Sequence, residues 1–429
     1  MDQSRAPQSL RTGRALRAAS GIALACLSLC PWFAPTAARA QGPGEVVLGM
    51  SAAFTGASAQ LGLDLYRGSM AYFDHVNATG GMNGVRIRVQ AYDDGYDPTR
   101  AIMNTLRLIE QDRVFLLFNY VGTPTVTRVL PVLTRFADRD MFLFFPFTGA
   151  QPQRELPYGQ YAFNLRASYR DETAELVNYF MASGRRRIGI LYQVDAYGRS
   201  GWDGVRRALG AYGTTIAAEA TYRRGTPYTA SLRRQVDILR AADVDAIISI
   251  SAYAAAAAFV RDAVDAGWDV PIANVSFVGS ESMLRLLEKE GAATGRDYTS
   301  RLVNSQVVPS YEDLSLPAVR EYRELTARYR PGPPPGVGAD DAGDLPDLSF
   351  VGFEGFLNAK LMVHILSGMG SVPDALQLRD VVERIRDYDL GIASPVTFGP
   401  GRNQGLATVY DTRVEGGRFV PITPGSRAP

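Results

Sequence analysis

Side chains able to do covalent chemistry are scarce in this 429-residue sequence. Histidine occurs only at His75 and His364, lysine only at Lys289 and Lys360, and both cysteines, Cys26 and Cys30, fall in the first forty residues. No spacing suits zinc, and neither a G-x-S-x-G elbow nor a G-K-[ST] phosphate loop occurs. Nucleophiles and general bases are therefore few. Asp93 and Asp94 form a carboxylate pair of the kind glycosidases use. As neighbours after a strand they point to opposite sides, and they read as solvated turn acids.

What the sequence does offer is binding chemistry. Three loops rich in small polar and aromatic residues follow strand-like runs in the first half: Ala52 to Ala59, Asn119 to Pro124 and Phe145 to Ala150. In open α/β sheets, ligands bind beyond the carboxyl ends of the strands. In the second loop Tyr120 and Gly122 precede Thr123, which reads as a helix N-cap with Pro124 at the first helical position. Free N–H groups at such a start attract an anion such as a carboxylate. Phe147 and Thr148 of the third loop add an aromatic face and a second hydroxyl. The second half supplies Asp195 to Gly198, Ser251 to Tyr253 and Gly279 to Glu281. At a strand end facing a cleft, Glu281 would pair with a ligand ammonium; the alternative is a solvated acid in the first turn of a helix, favoured by its dipole.

These loops need sheets to carry them. Strand and helix patterns alternate through the chain: strands at 46–50, 85–91, 114–118 and 141–145, helices at 61–76, 101–109 and 124–137. The alternation restarts with helices at 172–181, 201–211, 228–241 and 252–266 and strands at 188–192, 215–222, 244–250 and 272–277. Repeated alternation predicts parallel α/β sheets, one per lobe. Arg330 to Pro346, rich in Pro, Gly and Asp, reads as a surface loop. Helices at 348–366 and 375–386 and strands at 396–398 and 407–413 close the chain.

The first forty residues carry Arg5, Arg11, Arg14 and Arg17, then an apolar run from Ala18 to Leu29, then Ala38-Arg39-Ala40. This is the pattern of a secretory signal peptide, with cleavage expected after Ala40. The apolar run is too short to span a bilayer. Removal of the signal would take both cysteines; lipidation of Cys26 or Cys30 is the competing expectation. The whole chain has 45 basic and 44 acidic residues, and residues 41–429 keep 40 and 43, so nothing in the charge balance points to nucleic acid or a membrane surface.

The motifs taken in order resemble those of type I periplasmic substrate-binding proteins of ABC importers, in the leucine/isoleucine/valine and amide-binding group. The similar segments are Leu48 to Gly62, Asn77-Ala78-Thr79-Gly80-Gly81-Met82-Asn83-Gly84, Tyr92 to Pro98, Asp195-Ala196-Tyr197-Gly198 and Glu354-Gly355-Phe356. The resemblance implies an α/β fold of two lobes joined by three hinge crossovers, with lobe 1 at 45–165 plus 309–404 and lobe 2 at 166–308 plus 405–423. It implies that Thr123 and Thr148 meet a ligand carboxylate and that Glu281 meets its ammonium. Tyr197 would cover the ligand, and Phe54 or Tyr253 would line the side-chain pocket. Asn164 to Tyr169 departs toward a divergent branch, in which Arg166 and Tyr169 could bind a second carboxylate or a ring. The expected function is capture of an amino acid, amide or other apolar or aromatic carboxylate in the periplasm, for delivery by a monomer to an inner-membrane permease, without a cofactor. A sensor component, a binder of lipid-like ligands and an exported carboxylate hydrolase are the alternatives.

Overall fold

The computed structural model describes residues 44–338, 347–370 and 373–422. The signal-peptide segment, with Cys26 and Cys30, and residues 339–346 of the expected surface loop lie outside the described residues. None of the described helices is long and apolar enough to cross a membrane.

Two sheets organise the chain. The first is five-stranded and parallel, built from β1 (Glu45–Ala52), β2 (Arg86–Asp93), β3 (Leu116–Phe118), β4 (Leu143–Phe144) and β5 (Ala162–Phe163) in the order β2-β1-β3-β4-β5. β1 lies between β2 and β3 and is buried on both faces, which is why Val46-Val47-Leu48 runs apolar without alternating. α1 (Ala59–Ala78), α2 (Pro98–Glu110) and α3 (Thr123–Leu133) connect these strands.

The second sheet has seven strands. β6 (Ile188–Gln193), β7 (Ala218–Tyr222), β8 (Ala246–Ile250), β9 (Ile272–Asn274) and β10 (Leu302–Gln306) are parallel; β11 (Tyr388–Asp389) and β12 (Pro395–Val396) pair apart from it, and β13 (Tyr410–Glu415) and β14 (Arg418–Pro421) add an antiparallel edge. Its helices include α4 (Tyr169–Ala182), α5 (Ala196–Ala211), α6 (Arg233–Ala241), α7 (Tyr253–Asp265) and α8 (Ser280–Thr294). The chain leaves the first sheet after β5 and the second after β10. It then forms α9 (Pro317–Tyr329) and α10 (Phe350–Ser367) before returning to the second sheet through β13. Two of these crossings lie side by side: Asn164 donates its N–H to Asn403, and Gly405 and Leu406 donate to Asn164 and Leu165.

α10 packs directly on α1, backbone against backbone. A Cβ on Gly68 would sit 1.8 Å from the Gly352 carbonyl oxygen, and one on Gly355 would sit 2.2 Å from that of Leu65. Ser69 Oγ donates to Leu65 and Gly355 carbonyls at 2.8 and 3.0 Å across the same seam. Only glycine permits this approach.

Several expected elements are shorter than their patterns. The strand expected at 272–277 stops at Asn274, and residues 276–278 form a 3₁₀ turn. The helix expected at 375–386 is a 3₁₀ turn followed by α11 (Leu378–Glu383). Asp94 is a clearer correction. It is fully buried, not solvated, accepting from Ser51 Oγ and the Tyr96 N–H, both at 2.8 Å. Asp93 accepts from the N–H groups of Phe54, Thr55 and Gly95 and pairs with Arg100 at 2.8 Å, so the first binding loop is tied to the end of β2.

Two predictions arise from this packing. Gly68→Ala should cost about 3 kcal/mol of stability in urea unfolding, because overpacking must part α1 from α10; a change below about 0.5 kcal/mol would contradict the contact. Burial pushes the carboxyls of Asp64, Asp94 and Asp411 each up to about 7. The folded state then holds more protons than the unfolded chain between about pH 4 and pH 7. The stability these groups contribute is complete below their unfolded pKa and lost as pH rises through about 7. Thermal unfolding should therefore occur at higher temperature at pH 5 than at pH 8; the reverse order would contradict the burial of these acids.

Candidate functional site

Sheet order alone brings the second and third loops together, because β3 and β4 are neighbours. Beyond the strand ends the pairing continues: Phe147 donates its N–H to Tyr120 O at 2.8 Å, and Gly122 donates to Phe147 O at 3.1 Å. The next residues, Thr123 and Thr148, consequently face each other with their hydroxyls 2.6 Å apart. Gly122, not Thr123, is the N-cap of α3. Its φ is +99°, and a Cβ there would lie 2.0 Å from the Tyr96 ring, so glycine is required. Thr123 is thereby freed from capping and uses its hydroxyl on Thr148.

Around this pair the two halves of the molecule meet through aromatic rings. Phe277, delivered by the 3₁₀ turn after β9, lies 5.2 Å from Phe147 and 6.2 Å from Tyr96 of the first half. It lies 4.6 Å from Tyr197, which in turn lies 5.4 Å from Tyr169. These separations suit edge and offset aromatic contact. Asp195 caps α5 by accepting from the N–H groups of Tyr197 and Gly198, and this aims Tyr197 inward. The Tyr197 hydroxyl donates to Ser251 O at 3.3 Å. Tyr169 begins α4, whose N-terminus is fixed by a Ser168–Asp171 capping box. Its hydroxyl lies against the threonine pair without a hydrogen bond of normal geometry.

A buried charge cluster forms the floor. Arg166 is 2% exposed, and its guanidinium lies 4.6 Å over the Phe147 ring. Nη2 meets Glu172 Oε1 at 3.3 Å and donates to Ser276 Oγ, while Nη1 meets Glu354 Oε1 at 3.4 Å. Glu172, on α4, also accepts from the Ser276 N–H and Ser305 Oγ, each at 2.7 Å. Burial pulls the Arg166 pKa down, but Glu354 and Glu172 outweigh it and leave it raised. Burial pushes the Glu354 carboxyl up to about 7 despite Arg166. Arg154, pulled down to about 9 by burial and by Arg166, donates to the carbonyls of Thr148, Ala150 and Arg166.

The expected site residues divide accordingly. Gly122, Thr123, Phe147, Thr148 and Tyr197 converge. Tyr120 does not: its ring packs on the other side of the sheet with Leu108 and Val129, and its hydroxyl meets Thr105 Oγ1 at 3.1 Å. One step along a strand reverses the face, and Tyr120 takes the face opposite the cleft. Phe54 is buried edge-on to Tyr66 at 6.0 Å. Tyr253 begins α7 opposite Leu61 and Gly279. Glu281 is partly buried in a separate contact, accepting from the Phe350 N–H at 3.3 Å beside Tyr311 and Asp64. None of these partners belongs to the threonine pair, so Glu281 is not brought to it. Phe277 and Tyr96 were missed as site residues. Phe277 reads as strand, and only its departure into a 3₁₀ turn brings it against Phe147 and Tyr197. Among the described residues no group of three or more His, Cys, Asp or Glu side chains could hold a metal ion.

Comparison with known proteins agrees with this architecture. A family model described as periplasmic binding protein matches residues 45–418. Leu/Ile/Val-binding protein homolog 8 of Brucella suis is 24% identical, over 98% of each chain. An amino acid binding protein of Pseudomonas aeruginosa is 24% identical over 183 residues, which are 39% of this chain and 44% of that protein. Among solved structures, a possible leucine/isoleucine/valine-binding protein from Rhodopirellula baltica is 27% identical with a TM-score of 0.76, covering 89% of this chain and 97% of that one. A branched chain amino acid ABC transporter protein from Thermus thermophilus with bound valine shares the fold at 15% identity, with a TM-score of 0.74 over 89% and 96% of the two chains. With a match spanning nearly every described strand and helix, the chain belongs to the periplasmic binding protein family.

Proposed function

We propose that the protein captures a small carboxylate-bearing molecule between its two lobes and presents it to an inner-membrane ABC importer. The observation that carries this reading is the Thr123–Thr148 hydroxyl pair, 2.6 Å apart and buried, at the start of α3 and under an aromatic wall drawn from both sheets. Hydroxyls beside a helix N-terminus suit a carboxylate, and Phe147, Phe277 and Tyr197 suit an apolar or aromatic body. In this reading residues 45–165 with 309–404 form one lobe and 166–308 with 405–423 the other. Ligand would favour the closed arrangement of the hinged lobes. The mature chain, released by cleavage after Ala40, works as a monomer. The names of its relatives, which are amino acid and Leu/Ile/Val-binding proteins, support an amino acid or related acid as cargo. A role in binding without catalysis is supported by Asp93 and Asp94, both engaged in holding the first loop.

A thermal-shift screen of the mature protein against amino acids, amides and aromatic acids tests this directly, since a ligand selective for the folded state raises the melting temperature. For the acid that shifts it most, Thr123→Val and Thr148→Val should each weaken binding by about 1.5–3 kcal/mol, as for loss of a hydrogen bond to a charged group. Unchanged titration calorimetry for both variants would move the carboxylate elsewhere.

A further inference from the structure

An amino acid needs two opposite anchors, donors for its carboxylate and acceptors for its ammonium. The cluster around the threonine pair has the first in excess. Arg166 Nε makes no hydrogen bond although the residue is 2% exposed, and Nη1 has only its 3.4 Å contact with Glu354. The Tyr169 hydroxyl, on a residue 1% exposed, is also without a normal hydrogen bond. Free carboxylates are the scarce group there. The carboxylates that reach the cluster are already engaged: Glu172 by Arg166, Ser276 and Ser305; Glu354 by Arg166; and Asp195 by the α5 N-terminus, Gln193 and Arg224. Glu281, the acid expected to take an ammonium, accepts from the Phe350 N–H through Oε1 at the start of α10 and keeps Oε2 buried without a partner there, away from the threonine pair.

We infer that the cleft selects a ligand with an anionic end and no ammonium, an apolar or aromatic carboxylic acid, with Arg166 as the residue that sets this preference. The inference rests on the reading of the protein as a small-carboxylate binder. The guanidiniums of Arg166 and Arg154 stand beside the carboxyls of Glu172 and Glu354, and burial pushes the Glu354 carboxyl up to about 7. Arg166 already lies over the Phe147 ring, so one residue can address both the charge and the aromatic body of such a ligand.

The test uses pairs that differ only in the ammonium: 3-phenylpropanoate against L-phenylalanine, and 4-methylpentanoate against L-leucine, by titration calorimetry on the mature protein at pH 7.5. In at least one pair the deaminated acid should bind at least tenfold more tightly. Amino acids binding as tightly as their deaminated partners, or more so, would overturn the inference while leaving the carboxylate-binder reading intact. Binding of no member of either pair, with no shift from other acids, would defeat that reading and the inference together. Arg166→Lys, checked for native fold by near-UV circular dichroism, should weaken the preferred acid at least tenfold, because lysine lacks the planar fork. An unchanged affinity would remove Arg166 from the site.

Discussion

A guanidinium buried between two carboxylates is the constraint around which the rest is arranged. Arg166 sits where the chain first leaves the five-stranded sheet, Glu172 lies on α4 and Glu354 on α10. Burying such charges is costly, and removing one member of a buried pair leaves the others uncompensated. The fold answers with hydrogen bonds: Glu172 takes Ser276 and Ser305, and Arg154 ties the Arg166 carbonyl to the third loop and to Gln404 beside the second crossing. One network thus fixes the crossing, the third loop and the 3₁₀ turn that carries Phe277. The aromatic wall is positioned as a consequence of where the charges can be satisfied.

Backbone and side chains play different parts in this arrangement. Sheet order and loop positions belong to the family. The threonine pair follows from two parallel neighbours, β3 and β4, whose pairing continues past their ends at Val121 and Phe147. Arg166, Tyr169 and Phe277 bring a cation, a phenol and a ring together at the boundary between the sheets. Family membership implies a binder; the proposal above gives these three side chains a part in what it accepts.

Much of this was legible in the sequence because parallel sheets write themselves plainly. Continuous apolar runs such as Val46 to Leu48 and Ala246 to Ile250 alternate with helical spacing, and the loops after them are where ligands bind. Thr123, Phe147, Thr148 and Tyr197 fall on those loops, and the fold brings them together. What could not be read depended on tertiary contacts. Tyr120 has the composition of a site residue, but its side chain takes the far face of the sheet. Glu281 sits on a helix start, yet its carboxylate serves the start of α10. Phe277 continues an apolar run and looks like strand until Asn274 ends it. Asp94, beside exposed-looking turn residues, is buried because Ser51 and the Tyr96 N–H satisfy it. In each case the folded surroundings, not the residue type, decide the outcome.

The most direct test of the account is a crystal structure of the protein with a bound cargo acid. The account predicts the ligand carboxylate within hydrogen-bond distance of Thr123 and Thr148, with its body against Phe147, Phe277 and Tyr197 and its charge facing Arg166. A ligand seated beside Glu281 and Tyr311, away from the threonine pair, would contradict it.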